Sequence, residues 1–368
     1  MQRNERTIDP WLLGVFVALV LSGFFIFLSA SVGLIAREGA SFGAVAFSRL
    51  IAVLIGGAAA YGLSRIDYRL LRRFALPFLC AAVLLSLCVF LPGIGIAHGG
   101  AKRWVGAFGW SFQPSELLKI AFVVYAAAFF AAAKEKISSF SFGLLPLLVL
   151  LTLSGVLLLL QPDTDTFAVL FFALIAIFFV AGGRFKQLGI LCLTGLVALS
   201  VLVAMRPYLK DRFLTFLDPS SDPRGSGWQI EQSLIAIGSG GFFGRGFGQS
   251  VQKFSYLPEP IGDSIFAVAS EEFGFVGATL LVVLFLAFCL RGLRVAARAP
   301  DAFARLLVVG IVILVGASAC INIASMLGLI PLSGLTLPLV SHGGSALVIT
   351  LAGAGIVLNI SRFERRTV

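Results

Sequence analysis

The side chains able to move a proton or hold an anion fall mostly where an apolar stretch of this sequence meets a polar one. Asp263 ends the segment 250–263 and is followed at once by a long apolar run. An Asp there caps the helix behind it, or, partly desolvated, is a stronger base than an Asp in water, with Lys253 or Arg245 nearby opposing the shift. Glu271 and Glu272 come two turns further into the run and require partners or a wet cavity. In Pro114-Ser115-Glu116-Leu117-Leu118-Lys119, Glu116 and Lys119 share one helical face. They form a self-neutralising pair with Lys119 snorkelling along its stem, or Lys119 joins Arg49 in presenting cations to an anionic group in an interior cavity. Pro114 favours the second reading, because a proline-started helix leaves free amides and a positive dipole end on that side. Gln161-Pro162-Asp163-Thr164-Asp165-Thr166 packs two carboxylates into a very short turn. Asp165 or Thr164 caps the next helix, whereas Asp163 is placed to bind a divalent cation or hold a neighbouring lysine.

Other chemistries drop out early. His98 and His342 are the only histidines, which excludes a His-rich metal or haem site. Cys80, Cys88, Cys192, Cys289 and Cys320 form no CxxC pair and fall inside apolar runs, so they read as small core residues rather than a disulfide framework or zinc site. The glycine-dense segment 238–248 has nucleotide-loop spacing, but no buried strand precedes it and Phe242, Phe243 and Phe247 interleave with the glycines. A tight turn on the membrane surface is its expected form, with Ser233–Ile237 before it as part of a short interfacial helix.

The elements that position these groups follow from composition. Of 368 residues, 59% are hydrophobic and 12% charged, against about a quarter charged in a soluble domain. Mean hydropathy is +1.01, spread over the whole length. The expected fold is therefore an all-α polytopic membrane protein with about ten transmembrane helices, at 11–32, 44–64, 75–93, 114–133, 143–160, 165–182, 187–205, 263–290, 304–327 and 343–361. Residues 1–368 form a single transmembrane domain whose largest polar stretch, 206–262, lies between helices 7 and 8. Ser29-Ala30-Ser31 has the form of a signal cleavage site, but the first run is long enough to span and more spans follow. Seventeen of the 28 Lys and Arg residues fall in the tails and in the segments around Arg65–Arg73, Lys134–Lys136, Arg184–Lys186 and Arg291–Arg305. That bias puts both termini in the cytoplasm and the 206–262 loop outside. It also accounts for most of the net charge of +10, leaving no reason to invoke nucleic acid.

Several ordered motifs together resemble the SEDS family (shape, elongation, division and sporulation) of bacterial peptidoglycan polymerases. They are Ala101-Lys102-Arg103-Trp104, Gln113–Lys119, Gln161-Pro162-Asp163, Gln232–Gly241, Tyr256–Glu259, Asp263–Ala267, Gly334–Pro338 and Ser341–Ser345. The run Gly246–Lys253 followed by Tyr256–Glu259 is more similar to the division-type FtsW branch than to RodA. Gly100, Thr164-Asp165, Ile261-Gly262 and His342 depart from the usual pattern without removing a residue to which the family's chemistry is assigned.

The resemblance implies an enzyme that polymerises lipid II at the outer face of the bacterial cytoplasmic membrane during cell division, with glycosyl transfer inverting the anomeric carbon. Asp263 is then the general base that deprotonates the acceptor hydroxyl. Arg49, Lys102, Arg103, Lys119 and Lys253 are the cations available to the diphosphate leaving group, with a divalent cation such as Mg²⁺ near Asp163 and no organic cofactor. Glu259 and Ser341 line the cavity. A class B penicillin-binding protein is the implied partner, alongside other division or elongation proteins. Two other functions are open: a lipid II flippase, with Arg49, Glu116, Lys119 and Asp163 as a polar path for the head group, or a scaffold that recruits the transpeptidase, with the polar cavity incidental.

Overall fold

The computed structural model describes residues 7–38, 41–98, 101–107, 110–223 and 225–363. The helices in chain order are α1 (Pro10–Glu38), α2 (Phe42–Arg65), α3 (Arg69–Arg73), α4 (Ala75–Leu87), α5 (Pro114–Ala133), α6 (Leu145–Leu160), α7 (Thr164–Val180), α8 (Phe185–Met205), α9 (Pro207–Leu217), α10 (Ser226–Ser239), α11 (Gln252–Ser255), α12 (Ile265–Ala297), α13 (Ala302–Met326) and α14 (Gly344–Ser361). Eight helical segments are long and apolar enough to cross a membrane. Shorter apolar helices at Ala75–Phe90 and Thr164–Val180 stand in the places of the expected third and sixth spans. The chain is thus a multi-pass membrane protein.

Small residues bring the central helices together. Along α2, Ala52, Gly56, Ala60 and Ser64 are buried at four-residue spacing behind Arg49, a stripe that lets two backbones approach closely. The partner is α14: a Cβ on Gly355 would lie 2.4 Å from the Ala60 carbonyl oxygen, and one on Gly56 2.3 Å from Leu351 Cδ1. Burial deepens around α13, where Leu307, Val308 and Val312 are wholly inaccessible. By contrast Leu191 is the only buried residue of α8, so that helix presents nearly all its surface to lipid. Cys80, Cys192 and Cys320 are likewise exposed rather than in the core. This differs from the core placement expected from their apolar surroundings, because the same apolar character suits a lipid-facing surface.

The helical expectation omitted a small sheet. Between α4 and α5, β1 (Gly95–His98), β2 (Ala101–Ala107) and β3 (Trp110–Phe112) form an antiparallel meander with Gly95 opposite Val105 and Val105 opposite Phe112. It holds Arg103 over the turn between α6 and α7. The 206–262 segment is mostly ordered helix, with α10 extending the expected 233–237 stretch to fourteen residues.

Helix α12 breaks at Gly274, where φ is +66°. The backbone groups freed by the break are taken up by the glycine-rich turn. Arg245 and Gly246 amides donate to the carbonyls of Glu271 and Glu272, and Phe275 and Val276 amides donate to those of Gly241 and Phe242. A Cβ on Gly274 would sit 2.3 Å from the Gly244 nitrogen, so the approach requires glycine at this position. Beyond the break, Phe275–Ala297 is roughly 34 Å long, enough to cross the hydrocarbon by itself. The first turns of α12, with Glu271 and Glu272, are therefore not needed to cross it.

Candidate functional site

Asp263 sits in the turn that delivers the chain into α12. The turn is compact: Gly262 and Ser264 amides both donate to the Glu259 carbonyl, and Glu259 takes a φ of +44°. Ser264 is the N-cap residue and no side chain caps the helix, so the carboxylate of Asp263 is not spent on capping. It is half-buried and accepts hydrogen bonds from Gln229 Nε2 at 3.1 Å and Ser264 Oγ at 3.4 Å. Among the described residues no cation lies within salt-bridge distance. Burial raises its pKa to about 7, the exposed Glu259 carboxylate adds to the rise, and the Gln229 and Ser264 hydrogen bonds oppose it. A carboxyl that is half ionised near neutrality is suited to take a proton and later release it.

The expected opposition from Lys253 and Arg245 is absent, because both serve other carboxylates. Lys253 is wholly buried, with Nζ donating to Glu272 at 2.6 Å, to the Gly248 carbonyl at 2.9 Å and to Ser29 Oγ at 3.1 Å. All three ammonium protons are satisfied, so Lys253 is a structural cation and is removed from the candidate leaving-group contacts. Arg245 lies 3.5 Å from Glu271, which also accepts from Ser250 Oγ and from the Val251 and Gln252 amides. Ser29, once a candidate cleavage position, is core.

A second wall of the site is the segment from Leu335 to Gly343. Asn322 ties it to the base: its side-chain amide donates to the carbonyls of both Asp263 and Leu335 at 2.7 Å. Arg49 grips the same segment from α2, through NH1 to the Ser341 carbonyl at 2.7 Å and NH2 to those of Leu339 and Val340 at 2.8 and 3.0 Å. Ser341 Oγ accepts from the Leu337 amide, and the His342 amide donates to the carbonyl of Ile261, two residues before Asp263. On one side of the segment Arg49, Ser48, Ile261, His342 and Gly343 line a cavity of about 290 Å³. On the other, Glu116, Lys119, Ser341 and Gly343 line one of about 50 Å³. Lys119 pairs with Glu116 at 2.9 Å, and still faces this cavity, so pairing and cavity lining hold together. Two chambers share the 335–343 wall, one lined by Arg49 and the other by Lys119.

The turn before α7 carries a third group. Asp163, not Asp165, caps the helix, accepting from the Thr166 amide at 3.4 Å. Its other oxygen accepts from Ser115 Oγ at 3.3 Å, and Arg103 lies 3.9 Å away while donating to the Gln161 and Pro162 carbonyls. Burial raises the pKa of Asp163, with Arg103 opposing. Asp165 instead pairs with Arg212 of α9 at 3.1 Å and accepts from the Gly334 amide at 3.0 Å. Lys102 is exposed on β2 beside Arg103. No group of three or more metal-ligating His, Cys, Asp or Glu side chains occurs among the described residues. Asp163 is hemmed by a hydroxyl, an amide and an arginine, which do not fit a resident cation.

Gln229, Asn322, Arg212 and Glu272 are the residues that reading along the chain missed as partners. Gln229 and Asn322 are uncharged and lie 34 and 59 residues from Asp263. A buried polar residue in an apolar helix was the available signal for Asn322.

Comparison with known proteins agrees with this geometry. The family described as cell cycle protein, FtsW/RodA/SpoVE, matches residues 10–366. The chain is 40% identical to stage V sporulation protein E of Bacillus subtilis over 311 residues, covering 84% of this chain and 85% of the relative. It is 41% identical over 357 residues to a probable peptidoglycan glycosyltransferase FtsW of Trichlorobacter lovleyi, covering 96% and 93% of the two chains. A chain from a structure described as "Structural coordination of polymerization and crosslinking by a peptidoglycan synthase complex" superposes with a TM-score of 0.81 at 28% identity, covering 96% of this chain and 98% of that one. The crystal structure of Thermus thermophilus rod shape determining protein RodA gives a TM-score of 0.72 at 28% identity, covering 98% of each chain. With residues 10–366 matched and relatives 40% and 41% identical over most of their length, the chain belongs to the FtsW/RodA/SpoVE family of cell cycle proteins.

Proposed function

We propose that this chain is a peptidoglycan glycosyltransferase of cell division, polymerising lipid II at the outer face of the cytoplasmic membrane. The observation that carries the proposal is the state of Asp263: a half-buried carboxyl at the bilayer edge, free of any cap or counter-ion, with a pKa near 7. In the reaction, the 4-hydroxyl oxygen of the acceptor's GlcNAc bonds to the donor's anomeric carbon and the bond to the undecaprenyl diphosphate breaks. Asp263 takes the hydroxyl proton as this happens, which adds a factor of about 10²–10⁴ to the rate. Inversion follows from attack opposite the leaving group. Glu259, beside Asp263, keeps its carboxyl basic until the acceptor arrives. Arg49, Lys119, Arg103 and Lys102 supply positive charge around the departing diphosphate. A divalent cation such as Mg²⁺ would come with the diphosphate and offset its charge, and no step is assigned to it.

A polyprenyl tail gains roughly 0.8 kcal/mol per buried methylene, so the donor stays in the bilayer and the enzyme must work at its edge. In this reading both termini are cytoplasmic, the 206–262 segment is outside, and the helices and that segment act as one catalytic domain. Cross-linking then belongs to a class B penicillin-binding protein docked on the chain, in keeping with the complex from which the superposed chain comes. The test is polymerisation of labelled lipid II by the purified chain, alone and with that partner. Glycan strands made by the wild type and lost in Asp263→Ala support the proposal. Undiminished strands from Asp263→Ala remove the base, and transfer of lipid II between leaflets without strands replaces polymerisation with flipping.

A further inference from the structure

The end of the molecule away from Asp263 carries a charge cluster that the proposed reaction does not use. Arg65 lies sixteen residues along α2 from Arg49, about 24 Å at the rise of a helix. From there the chain runs Arg65-Ile66-Asp67-Tyr68-Arg69-Leu70-Leu71-Arg72-Arg73-Phe74, through the short helix α3 and into α4. All four arginines are exposed, and among the described residues none has a carboxylate within salt-bridge distance. The nearby acids are engaged by other donors: Asp67 accepts from the Arg69 amide, and Asp301 accepts from the Tyr68 hydroxyl at 2.6 Å while capping α13. Arg65, Arg69 and Arg73 lie over the rings of Tyr61, Tyr68 and Phe74 at 4.9, 5.8 and 5.9 Å. Stacking of that kind uses the face of a guanidinium and leaves its edge N–H groups for an oxyanion. Arg69 also turns to the Tyr68 oxygen, so the cations without a polar partner among the described residues are Arg65, Arg72 and Arg73.

The same segment walls an apolar hollow. Leu63, Ile66, Leu70, Leu71, Phe74 and Ile356 line most of a cavity of about 160 Å³. Of its polar members, Tyr68 gives its hydroxyl proton to Asp301, and Asn359 gives its amide protons to the Ser64 and Ile66 carbonyls. Ile66, Leu70 and Phe74 are 48%, 47% and 50% exposed, so the hollow opens at the surface, between the arginines. Cations without counter-ions beside a hollow that offers an occupant no free donor match a ligand with an anionic head and a hydrocarbon tail. An acidic protein would answer the charge and leave the hollow empty; a neutral lipid would fill the hollow and leave the charge. In the orientation proposed above this segment faces the cytoplasmic leaflet, where basic pockets between helices meet anionic lipid.

We propose that the Arg65–Phe74 segment is a binding site for one anionic phospholipid, with its phosphate on Arg65, Arg72 and Arg73 and an acyl chain in the hollow beside Ile66, Leu70 and Phe74. Only the choice of leaflet rests on the orientation given above. Leu63 of α2 and Ile356 of α14 both face the hollow, so the lipid braces the inner end of the α2–α14 seam, where Asn359 already ties α14 to the end of α2. The outer end of that seam is where Arg49 grips the 335–343 wall.

The test is a lipid titration of the full-length purified chain in nonionic detergent, read as a rise in unfolding temperature, with phosphatidylglycerol, phosphatidylcholine and glycerol phosphate as separate probes. Phosphatidylglycerol is expected to stabilise the wild type at concentrations where the other two do not. Arg72→Gln combined with Arg73→Gln changes two exposed positions and should leave the fold intact; it is expected to bind phosphatidylglycerol about thirtyfold more weakly. Leu70→Gln, which brings an amide to the hollow without altering charge, is expected to weaken binding several-fold. Lys186→Gln combined with Arg294→Gln removes the same charge from two other exposed positions and is expected to bind as the wild type does. Equal weakening by the two double variants reduces the effect to general attraction between a basic face and anionic lipid, and overturns the site. An equal response to phosphatidylcholine overturns the role of the arginines, and an equal response to glycerol phosphate, or unaltered binding by Leu70→Gln, overturns the hollow. Should the arginine variant fail to fold, the three probes and Leu70→Gln still decide. Polymerisation plays no part in this readout, so loss of the site leaves the proposed function standing and absence of glycan strands leaves the site standing.

Discussion

Two carboxylate sites lie within ten residues at the start of α12, Asp263 in the turn before it and Glu271 with Glu272 in its first turns, and they are built on opposite principles. Glu271 and Glu272 are 0% and 1% exposed, and they are surrounded by donors: Lys253, Arg245, Ser29 Oγ, Ser250 Oγ and three backbone amides. Asp263 has a primary amide and a hydroxyl, a second carboxylate beside it and no cation. The first arrangement fixes the helix break and the glycine-rich turn. The second leaves a carboxyl unsettled, at a cost in stability that the proposed role as base accounts for. Ten residues of chain thus hold a fully paired carboxylate cluster and an underpaired carboxyl that the proposed function uses as its base.

The largest effect that tests this contrast is on rate. Asp263→Asn is expected to lower lipid II polymerisation by about 10²–10⁴-fold while the protein stays folded. Its stability moves the other way. Because the folded pKa of Asp263 is raised from 3.8 to about 7, the folded state binds more protons than the unfolded one between those values, and the wild type loses stability as pH rises through that window. Asn carries no such penalty, so the variant's unfolding temperature should gain on the wild type from pH 4 to 7 and hold its lead above. A variant that loses both activity and stability at pH 8 would place Asp263 among the structural carboxylates.

Lys253→Met should show the inverse pattern. It leaves Glu272 buried without its cation, a loss of about 3–5 kcal/mol, seen as a fall in unfolding temperature at neutral pH. Lys253→Met combined with Glu272→Leu should recover a large part of that loss, since two apolar side chains replace two charges. Folded protein from the double variant should polymerise at a rate within a few fold of wild type. A rate loss as large as that of Asp263→Asn in folded material would return Lys253 to the leaving group.

These contrasts also show what could be read from the chain. Apolar length set the spans, because a helix crossing lipid needs about twenty such residues whatever its neighbours, and the two that fell short, Ala75–Phe90 and Thr164–Val180, are shorter apolar helices. Asp263 was legible by its place at an apolar boundary, and Arg49 and Lys119 by the cost of charge in a span. Pairing was not. Lys253 is ten residues from Asp263 and nineteen from Glu272, and only the break at Gly274 and the turn folded into it bring the distant partner close. The cap exchange between Asp163 and Asp165 was equally hidden, since it depends on Arg212 arriving from α9.

A smaller effect sharpens the Asp263 side of the contrast. The rate should fall on the acid side of an apparent pKa near 7, about tenfold per pH unit well below it, as the base is protonated. Gln229 donates to the carboxylate at 3.1 Å and lowers that pKa. Gln229→Leu should therefore shift the acid limb upward by up to about one unit, giving a several-fold loss at pH 6.5 and little at pH 9. A loss of equal size at both pH values would make Gln229 a packing residue.

The smallest expected effect lies on the other carboxylates. Arg245 is 42% exposed along its side chain and 3.5 Å from Glu271, which retains Ser250 Oγ at 2.5 Å and the Val251 and Gln252 amides when the arginine is removed. An exposed cation at that separation is worth about 0–1 kcal/mol. Arg245→Ala should therefore move the unfolding temperature only slightly, and less in high salt, with no change in the pH profile of polymerisation. If it instead shifts the acid limb, the two sites communicate through the first turns of α12, and charge at Glu271 is felt at Asp263 despite the hydrogen bonds that enclose it.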